Sequence, residues 1–139
     1  MKNKIMNYST VVLTTIIALS FTSCKKKNDC KAGTGGNVTI VALPQHHGKT
    51  IYNQGNYPDT AYVKFDTQDF PGADVSKYDA IFVGDSGEDH VHIENLKCGD
   101  YYIYCTGYDT SISQRVTGGI PYSFSQESGE IDLAVPVTE

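Results

Sequence analysis

The chain has 139 residues, 16 acidic and 11 basic, for a formal net charge of −5, and carries ten tyrosines but no tryptophan. The length suits one domain once a leader is set aside. The acidic excess excludes nucleic acid as a partner, because phosphate binding needs clustered lysine and arginine.

Residues 1–23 read as a lipoprotein signal peptide. Lys2 and Lys4 form a positive n-region, and residues 11–21 (VVLTTIIALSF) are an apolar run of signal-peptide length. That run is too short to span a bilayer, which needs roughly 20 apolar residues. Thr22 and Ser23 lead into Cys24, which resembles the relaxed lipoprotein signals of Bacteroidota, where the cysteine is acylated, palmitate included, and becomes the mature N-terminus. A lipid on Cys24 would hold the domain at a membrane surface without a spanning helix. Residues 24–36 read as a flexible tether, polar and glycine-containing, whose Lys25, Lys26 and Lys27 can rest against anionic head groups. Surface-exported lipoproteins of Bacteroidota tend to carry acidic residues there, so the lysines point to the periplasmic side of the outer membrane.

Residues 37–139 are the expected folded domain, with 5 basic residues against 15 acidic ones, a surface suited to solubility or to attracting cations. Residues 38–43 (VTIVAL) are apolar on both faces until Pro44, which is expected to end the strand. Ala61, Val63 and Phe65 alternate with Tyr62, Lys64 and Asp66 as in a half-exposed strand. Residues 78–83 (YDAIFV) form a third strand. Val91 and Ile93 alternate with His90, His92 and Glu94; Leu96, Gly99 and Tyr101 then mark a tight corner. A glycine there permits positive φ, and a tyrosine just beyond can bury its ring while its hydroxyl bonds back to the backbone. Tyr101, Ile103 and Cys105 continue the pattern, a further strand lies near residues 112–116, Gly118-Gly119 is expected to turn the chain, and Ile131, Leu133, Val135 and Val137 alternate along the last strand. Short strands at this spacing predict an all-β, Greek-key sandwich of about seven strands.

The strand ending in Leu96, the Gly99-Asp100-Tyr101 corner, the strand into Gly107-Tyr108 and the closing IDLAVPV resemble transthyretin-like or carboxypeptidase-regulatory-like sandwiches, a pattern shared by fibronectin type III and Cna-B-type domains. The resemblance implies a small module of a Bacteroidota envelope lipoprotein. Cys98 stands where those families commonly place proline. The hydrolase branch of the transthyretin family ends in a Tyr-Arg-Gly-Ser tetrapeptide, whereas this chain ends Val135-Pro136-Val137-Thr138-Glu139, so that activity does not carry over. With no Ser-His-Asp, paired-carboxylate or phosphate-loop motif to place, the expected protein is not an enzyme.

Five features are candidates for function. If Cys24 is lipidated, Cys30, Cys98 and Cys105 remain in an oxidising compartment. A Cys30–Cys98 disulfide is the preferred pairing, since Cys105 falls on the core face, with Cys98–Cys105 and an intermolecular bond left open. The four histidines form two pairs, His46 with His47 after Pro44, and His90 with His92 about 7 Å apart on one strand face. If the loop folds over the strand, they would gather into one zinc or copper site. The loop Asp85-Ser86-Gly87-Glu88-Asp89 lacks the spacing of a calcium loop and reads as a solvated turn. Tyr102, Tyr104 and Tyr108 lie opposite the core row and offer a face for an envelope protein or glycan, unless neighbouring strands cover them. Asp59-Thr60-Ala61 resembles the short O-glycosylation motif of Bacteroidota envelope proteins. The expected function is thus partner or ligand binding by a lipid-anchored sandwich, with transition-metal binding as the alternative.

Overall fold

The computed structural model describes residues 30–139; Cys24 and the three lysines after it lie outside them. Among the described residues there are eight strands: β1 (Thr34–His46), β2 (Lys49–Thr50), β3 (Thr60–Phe65), β4 (Ala80–Val83), β5 (Val91–Leu96), β6 (Gly99–Asp109), β7 (Gln114–Phe124) and β8 (Ser128–Val137). They form two four-stranded sheets packed as a sandwich. In the first sheet β1 is central, running parallel to β8 on one side and antiparallel to β5 and then β2 on the other. The second has the order β4-β3-β6-β7, all antiparallel. The chain leaves β4 for β5 in the opposite sheet and returns in β6 beside β3, the crossover of a Greek key.

Period-two alternation decides what lies inside. Val38, Ile40 and Ala42 of β1, Leu133, Val135 and Val137 of β8, and Tyr101, Ile103 and Cys105 of β6 share one buried core. At roughly 25 cal/mol per Å² of apolar area removed from water, this inter-sheet layer is the main stabilising term. The corner between β5 and β6 closes one end. Tyr101 is fully buried, its ring stacks on Phe124 at 5.4 Å, and its hydroxyl donates to the Lys97 carbonyl while accepting from the Gly33 N–H at 3.0 Å.

Three boundaries differ from the sequence reading. The segment from Cys30 to Gly36, ahead of residue 37, is packed into the fold: Ala32 is buried, its N–H donates to Asp66 Oδ1 at 3.0 Å, and the Lys97 N–H donates to the Gly33 carbonyl at 2.9 Å. The Cys30–Cys98 disulfide fastens this segment to the corner. Pro44 does not end β1, which continues to His46. Pro44 falls between the last β5 rung at Ala42 and the first β2 rung at Gln45, where its missing N–H removes no rung. Gly118-Gly119 lies within β7 and makes no turn. A Cβ on Gly118 would stand 2.2 Å from the Pro136 carbonyl oxygen, so glycine lets β8 approach closely. There Thr117 and Thr138 exchange backbone hydrogen bonds of 2.7 and 2.9 Å, joining the two sheets at one edge.

Candidate functional site

The end of the sandwich opposite the corner is polar. The inward row of β1 runs Val38, Ile40, Ala42, Pro44, His46; that of β6 runs Tyr101, Ile103, Cys105, Gly107, Asp109; and that of β8 ends at Val137, with Glu139 two residues on. Each row thus ends in a titratable group at the same pole. His46 is 5% exposed; its Nδ1 lies 2.7 Å from Asp109 Oδ2 and its Nε2 2.8 Å from Glu139 Oε2. The hydrogen bond to Asp109 is the largest influence raising the His46 pKa above its ordinary value, against the opposing effect of burial. Asp109 is held down to about 2, first by the Ser111 hydroxyl and then by His46. His47 follows in a two-residue hairpin turn with Gly48, and a cleft of about 300 Å³ opens beside the pair, lined by Tyr52, Tyr108, Ser111 and Ile112 among others.

Asp59 lies towards the same end. It is fully buried, and neither carboxylate oxygen has a hydrogen-bond partner; the Asn53 amide nitrogen beside it is likewise buried and unpaired. Space for the carboxylate exists because residue 107 is glycine: a Cβ there would stand 2.4 Å from Asp59 Oδ1. Burial raises the Asp59 pKa from 3.8 to about 6.

The second histidine pair stands apart from this pole. Val91 and Ile93 point into the core, so His90 and His92 project from the outer face of β5. His90 Nδ1 lies 2.9 Å from Asp89 Oδ1 and 3.8 Å from Glu88 Oε2, while the Nε2 atoms of His90 and His92 approach to 3.0 Å. Asp85 and Glu88 line the same small cleft, and the acidic loop is anchored by the Asn53 N–H donating to the Glu88 carbonyl at 2.7 Å. The four histidines therefore form two clusters and no shared site. His46 ends an inward row while His90 and His92 face outward, so no movement of the PQHHG loop alone would join them.

The tyrosine face is covered. Tyr102 is 8% and Tyr104 5% exposed, packed with Tyr62 and Tyr78, and Phe70 from the loop after β3 lies over both rings. Tyr108 is half-buried, stacks on Tyr57 at 4.8 Å, and Arg115 lies over the Tyr57 ring. The expected partner surface is thus an outer aromatic layer of the fold. Thr60 is buried and donates to the Pro58 carbonyl, so the Asp59-Thr60-Ala61 segment is closed to a glycan in the folded domain. Cys105 is a free, fully buried thiol whose pKa burial drives upward.

Compared with protein-family models, curated proteins and solved structures, the chain matches none. Sequence reasoning missed Asp109 and Glu139 as partners of His46, although the period-two rows carry the signal: continued two residues past Gly107 and Val137, they reach both.

Proposed function

We propose that this chain is a non-enzymatic, lipid-anchored envelope protein whose sandwich binds a divalent transition metal through His90 and His92. The reading rests on the 3.0 Å approach of their two Nε2 atoms. Two imidazole nitrogens bound at about 2.0–2.1 Å to one ion stand roughly 2.9 Å apart at right angles and roughly 3.3 Å apart at the tetrahedral angle. The pair therefore needs little reorganisation to accept copper or zinc. Asp89 on His90 Nδ1 supplies the carboxylate that commonly fixes the tautomer and raises the basicity of a ligating imidazole. Glu88 and Asp89 gather on the Nδ1 side of His90 and place negative charge beside the pair. Partner binding through Tyr102, Tyr104 and Tyr108 has less support, because that surface is occupied by the chain's own aromatic rings. The acylated Cys24 would place the domain on the periplasmic face of the outer membrane.

Elemental analysis of the untagged full chain, purified in detergent without chelator and then titrated with Zn²⁺ and Cu²⁺, tests the reading. One equivalent should disappear in both His90→Ala and His92→Ala, with little change in stability at these outward positions. A wild-type chain that carries no metal and ignores both ions would refute it.

A further inference from the structure

We infer that the His46 pole is a second transition-metal site, separate from the His90–His92 pair, with His46 Nε2, His47 and Glu139 as ligands. It extends the metal-binding reading to residues that the first site does not use. Ligand atoms of the three side chains lie within 4.8 Å of one another, and Nε2 of His46 is already 2.8 Å from the Glu139 carboxylate. Two imidazoles and one carboxylate are a zinc donor set that leaves a fourth position free. A cleft of about 300 Å³ opens beside His46 and His47, with room for water or a small ligand next to Tyr52, Ser111 and Ile112.

The surroundings are arranged for ligation. Asp109 accepts from His46 Nδ1 and is itself fixed by the Ser111 N–H at 2.8 Å and the Ser111 hydroxyl at 2.6 Å, so the imidazole is aimed by a carboxylate that cannot swing away. Asp109 is a positioning residue and not a ligand. His47 occupies the first position of a two-residue hairpin turn with φ +50°, followed by Gly48 at φ +74°. Such turns favour Asn-Gly, Asp-Gly or Gly-Gly. An imidazole in that place brings its ring centroid to 4.2 Å from that of His46. An ion pair between His46 and the two carboxylates explains the 2.7 and 2.8 Å contacts, but it gives no role to His47.

The turn preference supplies a variant that keeps the fold: His47→Asn retains the hairpin and removes the imidazole, and Glu139→Gln alters an exposed side chain at the edge of the domain. Zn²⁺ and Cu²⁺ titrations of the full chain should give two equivalents for wild type and one each for His47→Asn, Glu139→Gln and His92→Ala. Asp109→Asn should keep the two-equivalent stoichiometry while weakening one Kd by about 10- to 100-fold. Full wild-type stoichiometry in both His47→Asn and Glu139→Gln overturns the second site, and leaves the first intact if His92→Ala still loses metal. A single equivalent lost in those two variants but kept in His92→Ala upholds the pole and overturns the His90–His92 assignment. Absence of binding in wild type overturns both.

Discussion

The two ends of this sandwich are built from the same strands with opposite chemistry. At the corner end, the Cys30–Cys98 disulfide holds the segment around Ala32 against the fold, and the Tyr101 phenol on the inward row of β6 is kept neutral by burial, its hydroxyl bonded to the backbone of Gly33 and Lys97. At the far end the same rows finish in His46, Asp109 and Glu139, with the unpaired Asp59 carboxylate nearby. One end is stapled; the other holds charge where the core should be. The contrast teaches a division of labour within one strand: β1 carries the foot of the molecule at Thr34 and a ligand candidate at His46, about 40 Å of extended chain apart at roughly 3.3 Å per residue.

The largest expected effect breaks the staple. A Cys30→Ser, Cys98→Ser double variant opens a loop with a sequence separation of 68, which the chain-entropy treatment values at roughly 4 kcal/mol. Urea unfolding should show a loss of about 2–4 kcal/mol, with metal stoichiometry unchanged in the molecules that remain folded. Loss of metal in step with the disulfide would show that the two ends are not independent.

Next in size, and opposite in sign, is Asp59. Its carboxyl is raised from 3.8 to about 6, so the folded chain holds the proton more tightly than the unfolded one between those values. The stability this group contributes is full below about pH 3.8 and is lost as pH rises through about 6. Asp59→Asn should therefore stabilise the domain at pH 7.5 by on the order of 1–2 kcal/mol and flatten its stability profile between pH 4 and 6. A destabilised variant at pH 7.5 would mean that the carboxylate has a compensating partner.

The smallest effect sharpens the corner. Tyr101→Phe keeps the ring stacked on Phe124 but removes the acceptor for the Gly33 N–H and the donor to Lys97. A loss of about 1 kcal/mol by urea unfolding is expected, with metal binding at the distant pole unaffected.

Much of this architecture was legible in the sequence, for a physical reason. Alternation in β5 and β6 identified the inward rows, and the glycine and tyrosine at the corner announced a buried ring with a bonded hydroxyl. What misled was local punctuation read without its neighbours. Pro44 and Gly118-Gly119 look like breaks, yet one lies between two partner strands and the other lets β8 approach closely. Tyr102 and Tyr104 could not be placed from alternation alone, since the period says which face a side chain takes but not that Phe70 and Tyr78 will cover it. The same limit hid Asp59, whose burial depends on glycine at position 107, far along the chain.

The central claim is that His90 and His92 close on one metal ion, and ¹⁵N imidazole NMR during a Zn²⁺ titration tests it most directly. The Nε2 resonances of His90 and His92 are predicted to move together, with saturation at one equivalent for that pair. Nε2 resonances of His90 and His92 that stay in place through excess Zn²⁺, on a chain that remains folded, would contradict it.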